Sequence, residues 1–136
     1  MMELTRKGDY AIRGIVYLAQ LEPGKVALIS EIADATGVPQ TFLAKILQSF
    51  AKIGLVKSFR GAGGGFVLGR PAARITLREV VEAVEGPIMP NRCLTSAGAC
   101  DREAGCSVHA VWRTVQGKVV EILDEVTIER LAAEKG

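Results

Sequence analysis

Three cysteines and the single histidine of the chain lie close together as Cys93, Cys100, Cys106 and His109, spaced Cys-x6-Cys-x5-Cys-x2-His. Thiolates and an imidazole are soft donors of the kind that hold zinc or an iron–sulfur cluster. On a helix, Cys106 and His109 stand at i and i+3, so they share a face and can point at one object. The positive end of that helix would favour thiolate at Cys106. Three cysteines cannot all pair within one molecule, and in a reducing compartment they serve as ligands or redox thiols rather than staples. A structural zinc site wants a tight Cys-x2-Cys pair, and none is present. A thiol switch uses two cysteines and leaves the third and the histidine without a role, whereas a cluster uses all four donors. Spacing alone does not choose among these readings.

The elements that must position these residues follow from periodicity. Thr5 caps a helix to about Gln20, with Ala11, Ile15, Leu18 and Ala19 at helical spacing, and Glu22-Pro23-Gly24 breaks it. Ser30 opens a short helix to Ala35. A Gly37-containing turn follows, then Pro39 in the first turn of a helix whose Phe42, Leu43, Ile46, Leu47 and Phe50 share one face and which ends at Gly54. Two short helices across a tight turn read as a helix-turn-helix. Leu55–Arg60 then alternates like a strand, Gly61-Ala62-Gly63-Gly64-Gly65 must turn, and Phe66-Val67-Leu68 returns. Thr76 caps a helix to about Glu85, stopped by Gly86-Pro87. Residues 87–105 read as a long functional loop. Beyond it Val108, Val111, Trp112, Val115, Val119, Ile122 and Val126 form an apolar stripe too long for a small domain to cover alone, so a second subunit is expected on it. Thr127 starts a last short helix. The fold expected is mainly α with a small β-hairpin: a winged helix-turn-helix over residues 1–86, the cysteine-bearing loop over 87–105, and a dimerisation helix with its tail over 106–136.

Composition agrees with one globular domain. Of 136 residues, 49% are apolar and 24% charged, and aromatics are scarce at 5%, so Val, Ile, Leu and Ala must build the core. The net charge of +2 hides an asymmetry: residues 1–78 carry 11 Lys/Arg against 5 Asp/Glu, and residues 79–136 carry 6 against 10. A basic first half suggests that it alone meets a polyanion. Residues 1–7 lack a signal-peptide core and the apolar run at 15–21 is too short for a bilayer, so a cytoplasmic chain with no membrane contact is expected. One histidine without a nucleophile–base arrangement argues against an enzyme.

In a helix-turn-helix the second helix enters the major groove with its N-terminal residues near base edges. Here Gln40 suits adenine, Thr41 a thymine methyl or phosphate, and Lys45 guanine or phosphate. Arg60, where the hairpin turns, would reach a narrow minor groove. Gly63 and Gly64 would let the backbone approach phosphates, and Lys57, Arg70 and Arg74 would contact the duplex backbone. The same glycines lack the third glycine of a dinucleotide loop and no Gly-Lys-Ser/Thr follows, so neither nucleotide motif is present.

Met2-Glu3-Leu4-Thr5-Arg6-Lys7-Gly8-Asp9-Tyr10-Ala11, the run Gly54–Phe66, and Cys106-Ser107-Val108-His109-Ala110-Val111-Trp112 together resemble the Rrf-two (Rrf2) family of bacterial regulators over nearly the whole chain. The resemblance implies a homodimer built on the long C-terminal helix, binding to imperfectly palindromic double-stranded DNA, and an iron–sulfur cluster that tunes operator affinity in response to iron–sulfur, redox or nitric oxide status. The histidine and following tryptophan are similar to the branch that regulates iron–sulfur cluster assembly, which implies a 2Fe–2S cluster on Cys93, Cys100, Cys106 and His109. The first cysteine gap is one residue longer here. Asp9 matches an aspartate that a nitric-oxide-sensing branch supplies across the dimer to a 4Fe–4S cluster, which makes it the alternative fourth ligand. On its own helix Asp9 is an ordinary first-turn carboxylate. The other functional expectation is a cluster-free regulator acting through redox thiols or a docked protein partner.

Overall fold

Thr5 does what a helix N-terminus requires, its Oγ1 accepting from the Gly8 N–H at 3.1 Å, and α1 runs from there over Arg6–Gln20. The computed structural model describes residues 5–61, 64–88 and 107–134. After α1 come α2 (Ile29–Thr36), α3 (Gln40–Lys52), the hairpin β1 (Val56–Phe59) and β2 (Gly65–Leu68), a 3-10 turn at Ala72–Arg74, α4 (Leu77–Glu85), α5 (Ser107–Glu125) and α6 (Ile128–Ala133).

The helix-turn-helix is formed by α2 and α3. Gly37 stands at φ +75 just past α2, a left-handed position that glycine adopts without strain, and its N–H bonds the Ala33 carbonyl at 2.9 Å. Ser30 is not the cap expected of it. Leu28 holds that position and α2 begins at Ile29. The reason is upstream: Ala27 is pinned to Phe66 by two backbone hydrogen bonds of 2.8 and 2.9 Å, so the chain turns into the helix directly after it. Pro39 likewise sits one residue outside α3, with φ −57 and ψ 132, and its carbonyl accepts from the Leu43 N–H.

The hairpin is antiparallel, pairing Val56 with Leu68 through Phe59 with Gly65. Ala27 lies on the outer side of β2, so the wing is anchored to the loop before α2 and not only to its own strand. Ile15 of α1, Ile32 of α2, Leu43, Leu47 and Phe50 of α3, and Val80 of α4 meet in one core with 0% exposure each. Among the described residues no polar or charged side chain is buried, so this core rests on aliphatic packing and the phenyl rings of Phe50 and Phe66.

Thr76 closes a reciprocal capping box with Glu79 at the start of α4. The same residue pairs across the chain with Thr127: the Leu77 N–H bonds the Val126 carbonyl and the Ile128 N–H bonds the Ile75 carbonyl, each at 2.8 Å. The far end of α5 is thereby stitched to the segment that follows the wing. α5 packs on α4, with Arg78 reaching both Glu82 at 2.9 Å and Asp124 at 3.4 Å. From Val108 to Glu125 no residue of the helix is buried, and Val108, Val111 and Ile122 are 55%, 59% and 60% exposed. Among the described residues no helix is long and apolar enough to cross a membrane.

Candidate nucleic-acid interface and metal ligands

The residues expected to meet DNA stand on two neighbouring projections. On α3, Leu43, Ile46, Leu47 and Phe50 turn inward, while Gln40, Thr41 and Lys45 are exposed. Phe42 departs from the expected inward face: it is 55% exposed at the edge of the buried arc, its ring centroid 6.0 Å from that of Tyr10 on α1. Two partners hold the motif in place from α1. The Tyr17 hydroxyl donates to Glu31 Oε2 at 2.8 Å, and Arg13 Nη1 donates to the Thr36 carbonyl at the end of α2. The Tyr17 hydroxyl is held above its ordinary acidity range by that bond to Glu31, by partial burial, and by the Glu31 charge.

On the wing, Lys57 and Arg60 are exposed, and none of Lys45, Lys57 and Arg60 is engaged in an ion pair with another described residue. Gly64 plays a different part from the one expected. It is buried, its N–H bonds the Gly61 carbonyl at 2.9 Å, and a Cβ there would stand 2.5 Å from the Phe59 carbonyl oxygen. It is needed for close packing of the tip, whereas the left-handed position belongs to Gly61 at φ +87. Gly63 lies outside the described residues.

Arg70 is not available to a duplex in the way its charge suggests. Its Nη2 bonds Glu79 Oε2 at 2.6 Å and its Nη1 bonds the Arg74 carbonyl at 3.1 Å. The face of α3 also carries polar residues that the N-terminal rule passed over: Gln48, Ser49 and Lys52 are exposed on the side away from the core. Helical spacing from Thr41 would have found them.

Of the candidate ligands, Cys93, Cys100 and Cys106 lie outside the described residues. His109 is half-buried in the first turn of α5. Asp9 is in the first turn of α1, where Arg13 Nε approaches its Oδ2 at 3.1 Å. The two ends of the segment that carries the cysteines return to α5. Ser107 begins the helix, and Gln116 Nε2 donates to the carbonyl of buried Ile88 at 2.8 Å.

The family model described as the Rrf2 iron-dependent transcriptional regulator matches residues 4–134. The chain belongs to the Rrf2 family of transcriptional regulators. It is 35% identical to the HTH-type transcriptional regulator IscR of Xenorhabdus nematophila over 131 residues, which cover 96% of this chain and 79% of that protein. Against the regulator of the same name from Escherichia coli the identity is 34%, over 96% and 80%. Among solved structures, CymR of B. subtilis, described as the global cysteine regulator, superposes with a TM-score of 0.85 at 29% identity over all of both chains. IscR of T. potens superposes with a TM-score of 0.78 at 25% identity, over 97% of this chain and 87% of that one. An Rrf2 protein is a DNA-binding regulator and not an enzyme, and the mainly helical architecture with its two-stranded wing is that of the family.

Proposed function

We propose that this Rrf2 protein is a cytoplasmic homodimeric regulator whose operator affinity is governed by an iron–sulfur cluster, 2Fe–2S in type, held by Cys93, Cys100, Cys106 and His109. The observation that carries the ligand choice is the place of His109 in the first turn of α5, three residues after Cys106, so that the two can share one helix face. Asp9 lies on a different element, in the first turn of α1. The donor set fits the group, since three thiolates and an imidazole match a cluster's preference for soft ligands. Likeness to IscR from two organisms supports the same branch. When bound, such a cluster supplies a redox- and nitric-oxide-reactive centre.

The rest is done by the chain itself. Gln40, Thr41 and Lys45 face the major groove, Arg60 the minor groove, and Lys57 with the backbone at Gly63 the phosphates. Two recognition helices in a dimer would meet successive major grooves of an imperfect palindrome, about 34 Å apart. Both ends of the cysteine segment are held on α5, and the far end of α5 is bonded to Ile75 and Leu77 just after the wing. A change in how that segment is held therefore moves α5 and, through those bonds, the wing.

Anaerobic reconstitution with iron and sulfide tests the reading. Wild type and Asp9→Ala should both be brown with matching visible spectra and iron counts, and His109→Ala should change the spectrum. A matching His109→Ala with a colourless Asp9→Ala would move the fourth ligand to Asp9 and favour the 4Fe–4S alternative. Bare or zinc-loaded polypeptide would overturn the cluster. The likeness to CymR favours a second reading, a cluster-free regulator acting through redox thiols or a docked protein partner. It expects colourless protein whose operator affinity changes with thiol oxidation or on adding the partner.

A further inference from the structure

Turning about 100° per residue, α3 places Thr41, Lys45, Gln48 and Lys52 within an arc of about 60°. All four are exposed, and the buried residues Leu43, Ile46, Leu47 and Phe50 occupy the opposite side. The helix contains no carboxylate anywhere between Gln40 and Lys52. Elsewhere the polar side chains at element junctions are engaged: Tyr17 with Glu31, Arg70 with Glu79, Arg78 with Glu82 and Asp124. The outer side chains of α3 form no such bonds among the described residues. A cationic and amide-bearing row of this kind is complementary to a polyanion with hydrogen-bonding edges.

We propose that Gln48 is a base-reading residue and Lys52 a phosphate anchor, extending readout two helical turns beyond the N-terminus of α3. This rests on α3 being the recognition helix. From Thr41 to Gln48 the helix rises about 10 Å, the span of about three base pairs at 3.4 Å each. A glutamine there presents one donor and one acceptor to the groove and pairs bidentately with adenine N6 and N7. Lys52, one turn further, meets the duplex where the helix leaves the groove, and carries charge without sequence information. Each half-site is therefore specified over a longer stretch than Gln40, Thr41 and Lys45 would read alone.

The test uses the full-length protein prepared without oxygen and a pool of randomised duplexes. Wild type should enrich a two-fold-related consensus. Gln48→Ala should lose preference at one position in each half-site and bind the wild-type consensus about tenfold or more weakly. Gln48→Glu, an acceptor with no donor, should turn that same position from adenine toward cytosine. Lys52→Ala should weaken all sequences alike and lower the salt slope of the dimer by about two. Enrichment of the wild-type consensus by both Gln48 variants overturns the readout role. If wild type enriches nothing, α3 is not a recognition helix and both readings fall. If Arg60→Ala loses affinity while the Gln48 variants keep full preference, only the Gln48 role falls.

Discussion

Arg60 and Gly64 occupy the same hairpin tip and answer for different properties. Arg60 is exposed and outside the core, so Arg60→Ala should leave the unfolding midpoint unchanged while operator affinity falls about tenfold. Unchanged affinity in a gel-shift titration would remove Arg60 from the interface. Gly64 is buried under carbonyls, and Gly64→Ala would press its methyl against the Phe59 and Gly61 oxygens at 2.5 and 2.8 Å. Backbone cannot yield cheaply there, so the tip must open at a cost of about 1–3 kcal/mol. Hydrogen exchange should quicken at the hairpin amides, with helical dichroism retained and operator affinity reduced. Wild-type exchange in the variant would refute the packing role.

Glu79 joins two elements. Its Oε1 accepts from the Thr76 N–H at 3.1 Å to complete the cap of α4, and its Oε2 holds Arg70 on the exit from the wing. Burial pushes the carboxyl up, but the Arg70 guanidinium and the bonds from Thr76 outweigh it and hold Glu79 below the ordinary glutamate range. The folded state therefore takes up the proton less readily than the unfolded chain, whose glutamate titrates near ~4.3. Its contribution is present in full above that value and is lost as pH falls through the lower, folded one. Both side chains are 37% exposed, so solvent screening keeps the effect small. The urea midpoint of wild type should exceed that of Glu79→Gln at neutral pH, and the gap should close on acidification. A gap that does not vary with pH would rule out this account.

At the scale of the whole molecule the decisive surface is α5. Its apolar arc is wider than α4 covers: Trp112, Val115 and Val119 are half-buried, while Val108, Val111 and Ile122 face outward. An exposed aliphatic ridge about four turns long is where a second copy would seat. Val111→Glu combined with Ile122→Glu should give a monomer by light scattering, with its helical content retained and operator affinity lowered at least tenfold. A dimer that survives both charges would place the interface elsewhere.

Local chemistry was legible in the residues. Thr5, Thr76 and Thr127 each announce the helix they cap, and the order helix, turn, helix, hairpin follows from periodicity and glycine placement. Membership of the Rrf2 family was legible for the same reason, because its signature runs are contiguous. The readings of the cysteine loop and Gly63 lie outside the described residues. What only the tertiary structure decided depends on contacts between distant parts of the chain. Phe66 pins Ala27 and moves the start of α2, Glu79 claims Arg70, and the Thr76–Thr127 pairing ties the end of the long helix to the segment that follows the wing. Packing in three dimensions also turned Phe42 outward, buried Gly64, and left one edge of α5 bare. Signals three or four residues apart are written in the local sequence, but which surfaces meet is settled only when the whole chain has collapsed around its core.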